Sequence, residues 1–398
     1  MKPMSEFTGI TPISATLPEA QSIQPKSIQP EEFAQRVQTL RANMAQANTD
    51  ALVLVAGSNM RYYTGLPWGL TERLVGAVIS RDEVMYICPR FEDSAMQPLL
   101  TLPGSFLYWE EDEDPVALVN GHLQRSGLTR VALDPKCPLW LVERFQAVLS
   151  NASLQSAVSL IGTQRARKSP TELALIAKAM QITLDVHRAT FAHLQPGMRC
   201  SEIRQFIDQA HRRAGADNGS YFCAVQFNEG TSHPHGVPGD PVLENNSLVL
   251  IDTGCQIEGY HSDITRTYAF GEVSGRIHDI WHIEKAAQVA AFNAVAPGVA
   301  CEAIDHAARL VLQQHDLGPD YRLPGLPHRT GHGIGLEIHE GPYLVRGDST
   351  SLMPGMCFSN EPMIVVPGEF GVRLEDHFYV TDTGAEWFTQ PQTSITQL

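Results

Sequence analysis

The chain of 398 residues predicts two domains of different class: an α/β domain, then an α+β domain whose two halves share the order helix–helix–hairpin. Three observations carry this reading. Helix-type and strand-type apolar spacing alternates from Pro30 to about Ile161. The segment PGMRCSEI at 196–203 returns as PGVACEAI at 297–304, keeping Pro, Gly, Cys and Ile at an offset of 101 residues. Each copy leads into a β-rich run in which two carboxylates can face one another across a hairpin.

Residues 1–29 lack a continuous apolar core of signal-peptide length and are expected to form a loosely packed arm of a cytoplasmic protein. From Pro30 to Asn48, Phe33, Val37, Leu40 and Met44 fall on one helical face. Asp50–Ala56, Val75–Ser80 and Val84–Cys88 read as strands, and the first domain spans 30–165. It holds no tight cluster of His, Asp, Glu or Cys. The segment SNMRYYTGLPWG (58–69) is unusually aromatic for a loop and serves either core packing or the covering of a site elsewhere. The second domain, 166–398, opens on Ser169-Pro170-Thr171-Glu172, a capping box with Pro at the first helical position. That helix should run to about Leu194. A second helix follows Cys200 and stops near Gly215; Arg276–Val295 and Cys301–His315 repeat the pair.

The first hairpin is LVLIDTGCQIEGYHSDITRT, 248–267. A turn at Ile257–Glu258 sets Asp252 opposite Asp263, and a turn at Glu258–Gly259 slips that pairing. The second hairpin, centred on Gly368 in PGEFG, sets Glu361 opposite Glu375. On its return strand Arg373, Glu375 and His377 share a face by the period of two. Between the hairpins HRTGHGIGLEIHEGP (328–342) supplies His328, His332 and His339. Solvated surface hairpins are the plain alternative, but the apolar run Leu248–Ile251 argues for burial. Buried carboxylates side by side repel and are costly unless a cation joins them. Four carboxylates and an imidazole make a site for two divalent ions, and a donor set so rich in oxygen favours manganese over a thiolate-type zinc site. Gly331, Gly333 and Gly335 precede no strand-to-helix turn, so a phosphate cradle is disfavoured; no HExxH, GxSxG or P-loop occurs.

A net charge of −15 disfavours nucleic acid as a partner. No run of 18 or more apolar residues is present, so no membrane span is expected. The seven cysteines are scattered and never form a CxxC pair, which reads as reduced thiols.

DTGCQIEGYHSDITRT, HRTGHGIGLEIHE, SNEP and GVRLED resemble the signature blocks of the pita-bread metallopeptidases, which include prolidase, aminopeptidase P, methionine aminopeptidase and creatinase-type relatives. The resemblance covers the chain from Lys168 to the C-terminal region. The preceding domain resembles the creatinase-type N-terminal domain, with YYTG as its marker, and the whole is most similar to short bacterial Xaa-Pro dipeptidases. The fold implied is a creatinase-like α/β domain followed by a pita-bread domain with a pseudo-two-fold αα-ββ repeat. The metal ligands implied are Asp252 on one ion, Asp263 and Glu375 bridging, and His332 and Glu361 on the other, with Mn first and Co or Zn as alternatives. Glu361 would also be the proton-transfer carboxylate. His235, His328 and His339 match substrate-side histidines, and Arg373 matches the arginine of the G-x-R-x-E block. Arg373 would then meet a substrate carboxylate or hold a structural acid such as Glu375. The segment Tyr62–Trp68 would be a wall against longer peptides, reaching the site from a homodimer partner. The activity implied is hydrolysis of the Xaa-Pro bond in short proline-containing peptides, with dipeptides preferred; an aminopeptidase P-type enzyme and a non-peptide amidohydrolase are the alternatives. Gly254 stands where lyases of this fold carry an additional Asp, which speaks against lyase chemistry. A catalytically silent binding module is the reading of another class, and an intact set of four carboxylates argues against it.

Overall fold

A computed structural model describes residues 25–149 and 153–397. Most of the expected arm, residues 1–24, lies outside the described residues. The chain divides into two compact units, one of Ser27–Arg165 and one containing Ala166–Leu398. No described helix is long and apolar enough to cross a membrane.

The first unit is a mixed six-stranded sheet in the order Ser105–Trp109, Val84–Pro89, Gly76–Ser80, Ala51–Val55, Arg130–Leu133, Ser153–Ser156. Its central strand Ala51–Val55 is buried along its whole length, as a continuous apolar run with helices on both faces requires. The aromatic segment is not the loop that was expected. Ser58–Thr64 is a helix closed by Gly65 at a left-handed φ of 78°. Tyr62 and Tyr63 are buried in this unit, edge to face at 5.0 Å. Core packing therefore claims both tyrosines, which leaves only Trp68 of the aromatic trio partly exposed.

In the second unit the capping box is formed, and its helix runs Pro170–His193. Cys200–Arg213, Gly275–Asn293 and Cys301–Gln314 are the other α-helices of this unit among the described residues. The repeat read from letters is also a repeat of bonds. Gly197 and Gly298 take φ of 92° and 87°, a region open to glycine. Their N–H groups donate to Leu243 and Leu352 carbonyls, both at 2.8 Å. Cys200 and Cys301 each open a helix and donate to Pro241 and Thr350. The two halves are thus pinned alike, each by the β-rich run that follows it.

The first hairpin pairs Asp252 with Thr265, and its turn is Glu258–Gly259, with φ of 49° and 78°. The expected pairing of Asp252 with Asp263 is corrected to a diagonal one on the same face. The reason is the turn: a two-residue hairpin needs φ > 0 at both central positions, which β-branched Ile257 resists and Gly259 accepts. The second hairpin keeps the expected register. Val366 pairs with Phe370 and Met363 with Arg373, and beyond a break Asn360 pairs with Asp376. Glu361 and Glu375 occupy the break, where their N–H groups turn away to the Thr330 and Thr265 carbonyls. The two hairpins are joined there. Thr267 donates to the Arg373 carbonyl at 2.7 Å, and buried Arg266 pairs with Asp376 at 2.6 Å. A core including Leu248, Trp281, Ile304, Phe358, Ile364 and Val372 lies beneath.

Candidate metal centre

His332 is presented by a three-residue strand, Gly331–Gly333, flanked by glycines for a steric reason. A Cβ at Gly331 would lie 2.0 Å from the Ser359 carbonyl oxygen, so only glycine lets these strands approach. Opposite, the register shifts between His332 and Gly333, a bulge of the kind that re-aims a side chain. Ser359 Oγ accepts the His332 N–H at 2.9 Å and donates to Glu361 Oε1 at 3.0 Å.

The orientation of the ring is fixed. Its Nδ1 lies 3.0 Å from the Gly333 carbonyl, which can only accept, so Nδ1 carries the proton. Nε2 then presents a lone pair 3.1 Å from Glu361 Oε1 and 3.7 Å from Asp263 Oδ2, and makes no hydrogen bond. Three acceptors converge on one point. Asp252 Oδ1, Asp263 Oδ1 and Glu375 Oε1 are likewise buried without a partner. One donor atom each from Asp263, His332, Glu375 and His377 all lie within 4.8 Å of one another. This donor set fits divalent cations: acceptors without protons, buried and mutually repelling, are satisfied together only by a positive ion. Burial raises Asp263 and Glu375 well above the usual carboxylate range, and in both cases neighbouring carboxylates add to the rise. Burial works on Glu361 in the same direction, but its neighbours, the Arg373 guanidinium among them, outweigh it and hold that carboxyl below its ordinary value.

Asp252 and Glu361 stand outside the tight group of four. Glu361 reaches it through His332. Asp252 is engaged by Arg373, whose Nη2 donates to Oδ2 at 2.5 Å. Arg373 also donates from Nε to Thr265 Oγ1 at 3.0 Å and from Nη1 to the Pro234 carbonyl at 3.4 Å. The acid it holds is Asp252 across the interface, not Glu375 on its own strand. Thr265 takes that place, donating to Glu375 Oε2 at 2.7 Å.

His328 repeats the design of His332. Its Nδ1 faces the Arg329 carbonyl at 2.7 Å, and its buried Nε2 is left without a partner. His339 is exposed and lies 4.1 Å from His332, ring centre to ring centre. His235 is exposed and lines a cavity of about 130 Å³ with Arg204, Cys223, Gln226 and Pro241. The structure thus gathers Asp263, His332, Glu375 and Glu361, ties Asp252 in through Arg373, and sets His339 against His332. His377 was seen in the sequence only as sharing a strand face; the same period of two that placed Glu375 could have marked it as a donor. Gly254 has a structural cause: a Cβ there would meet the Ser262 carbonyl oxygen at 1.9 Å, so no side chain fits.

Residues 174–382 match the model of metallopeptidase family M24, and residues 36–167 match the creatinase/prolidase N-terminal domain. The chain is 32% identical over 359 residues to a probable dipeptidase PepE of Mycobacterium bovis, covering 89% of this chain and 94% of the relative. The structure resembles dipeptidase PepE of Mycobacterium ulcerans with a TM-score of 0.85 at 30% identity, covering 94% of this chain and 99% of that one. A prolidase of Thermococcus sibiricus gives 0.85 at 26% identity, covering 94% and 100%. With the pita-bread repeat, the acceptor-lined centre and these matches, the chain belongs to metallopeptidase family M24 and carries the creatinase-type N-terminal domain of its prolidase-like members.

Proposed function

We propose that this metallopeptidase hydrolyses the bond before proline in short peptides, dipeptides first, using two divalent cations held by Asp252, Asp263, His332, Glu361 and Glu375. The observation that carries the reading is the lone pair of His332 Nε2, aimed at two carboxylates with no proton between them. Bound cations would polarise the scissile carbonyl and acidify the attacking water. The remaining work falls to the protein. Glu361, the easiest carboxylate of the set to keep ionised, takes the proton of the attacking water and returns it to the proline nitrogen as the bond breaks. His339 and His235, both exposed, would meet the substrate; His328, its tautomer fixed by the Arg329 carbonyl, would offer a buried acceptor. Arg373 holds Asp252 in place rather than waiting for a ligand. The oxygen-rich set makes manganese the first candidate, with cobalt or zinc next.

Similarity to proteins described as a dipeptidase and a prolidase supports the substrate class. We also place the enzyme in the cytoplasm as a homodimer, on the family resemblance alone. The test strips the protein of metal, restores Mn²⁺, Co²⁺ or Zn²⁺ separately, and assays Ala-Pro beside Ala-Ala. Cleavage of Ala-Pro that depends on metal, with Ala-Ala turned over far more slowly, is expected. Failure on Ala-Pro with all three ions, or equal turnover of both peptides, would overturn it.

A further inference from the structure

His377 lies beside this centre and has no place in the ligand set above. It is fully buried, and neither ring nitrogen makes a hydrogen bond of ordinary geometry, although the Asp263 backbone stands close enough to act on the ring. Its register partner across the strands is Ser359, whose hydroxyl is already committed to His332 and Glu361 and so does not serve it. The period of two turns His377 to the same side as Glu375. There one of its nitrogens lies within 4.8 Å of donor atoms from Asp263, His332 and Glu375. Two donors on opposite sides of one ion, each about 2.0–2.2 Å from it, stand roughly 4.4 Å apart, so this spacing admits a single ion among the four. A side chain kept only to fill space would be better served by a phenyl ring, which has no polar atoms to strand in the interior.

We propose that His377 is a further nitrogen donor to the metal position framed by Asp263, His332 and Glu375. That position then carries two imidazoles, whereas the Asp252 side of the centre is built of oxygen. Imidazole suits zinc and cobalt, and carboxylate suits manganese. The two positions therefore differ in preference, the nitrogen-rich one taking Zn²⁺ or Co²⁺ more tightly. This rests on the two-metal reading of the site and adds to it a residue and a selectivity.

Full-length protein, stripped of metal, is titrated with Zn²⁺ and separately with Mn²⁺ against a coloured competing chelator, for wild type, His377→Gln and His377→Phe. Thermal melting of the metal-free forms establishes that the variants are folded. Zn²⁺ affinity at the tighter position is expected to fall by about 10- to 100-fold or more, with a smaller loss for Mn²⁺. A folded variant that keeps Zn²⁺ affinity within about threefold of wild type overturns the assignment of His377. A wild type that binds no divalent ion overturns the metal centre itself, which is a different result. Zinc-edge X-ray absorption on the unaltered protein needs no variant. Two imidazole ligands per two-zinc centre are expected, and one overturns the proposal.

Discussion

Glu361 and Arg373 show how one buried side chain sets the behaviour of the next. Burial pushes Glu361 up, and its neighbours, the Arg373 guanidinium among them, outweigh that push; Asp263 and Glu375 are pushed up by burial and by the carboxylates around them. Glu361→Gln keeps the shape and the hydrogen-bond capacity toward Ser359 but removes the acceptor. We expect kcat to fall by about 10²- to 10⁴-fold, as loss of a positioned acid–base group does. Steady-state kinetics with metal in excess and a check of the melting temperature decide it, and a loss under tenfold would remove Glu361 from proton transfer. Arg373 spends its three nitrogens on Asp252, Thr265 and Pro234. Arg373→Lys offers one point charge in place of a planar fork. The activity lost should be the same for Ala-Pro and for Ala-Pro amide, which lacks the terminal charge. A loss confined to Ala-Pro would show that the guanidinium meets the substrate carboxylate after all.

At the scale of elements, the second hairpin was legible to the residue because PGEFG offers only one turn, and its register carries Glu361 and Glu375 to the same break. The first was legible only as to face, because IEG offers two adjacent turns. The deciding signal was the glycine at the second position, and Asp252 came out diagonal to Asp263. The helices were readable from a capping box, Pro at the first turn and apolar spacing. The tyrosines of 58–69 were not, since their burial depends on contacts far along the chain, such as Tyr63 with Gln164 at 3.2 Å. His377 follows GVRLED directly, and the period of two already set it on the Glu375 face; it was passed over because the spacing alone does not separate a donor from a core histidine. The first hairpin makes its own prediction. A methyl at Gly254 would press on the backbone oxygen of Ser262, next to Asp263. Gly254→Ala should therefore lower unfolding free energy by about 3 kcal/mol or more and loosen metal binding, both measurable by urea titration and metal analysis. The helix–strand packing beneath adds a pH effect. His211, buried between the Thr183 and Ser220 hydroxyls, is pushed down to about 4 by burial. Above the unfolded value of 6.5 the ring is neutral in both states, and its full contribution to stability is present. As pH falls toward about 4 the unfolded chain takes a proton that the folded one refuses, losing on the order of 3 kcal/mol. The stability gap between wild type and His211→Gln should thus narrow between pH 7 and pH 5 in urea titrations; a constant gap would show that the folded ring accepts the proton.

Over the whole molecule, every candidate ligand and every candidate substrate residue falls in the unit containing Ala166–Leu398, which has its own apolar core. The Ser27–Arg165 unit has a separate core around Val53, Val78 and Phe145 and supplies none of them. Substrate length depends on what meets the free end of the peptide. A dipeptidase must hold a free carboxylate one residue beyond the scissile bond, and the guanidinium first suited to that task is occupied by Asp252. The carboxylate must then be met by groups at the mouth, where His235 and His339 are exposed and Arg204 lines the adjoining cavity. None of these excludes a longer chain by bulk, so selectivity would come from charge recognition. Extending Ala-Pro to Ala-Pro-Ala moves the carboxylate by one residue, about 3.4 Å in an extended chain, which is farther than a hydrogen bond can follow. We expect kcat/KM for Ala-Pro to exceed that for Ala-Pro-Ala by at least tenfold, or about 1.4 kcal/mol in the transition state. Ala-Pro amide should fall on the side of the tripeptide, since it too lacks the charge at that position. If Ala-Pro-Ala is cleaved as fast as Ala-Pro, the enzyme is an Xaa-Pro aminopeptidase and the mouth histidines do not read the terminus. If the amide matches Ala-Pro while the tripeptide fails, length is excluded by bulk and not by charge.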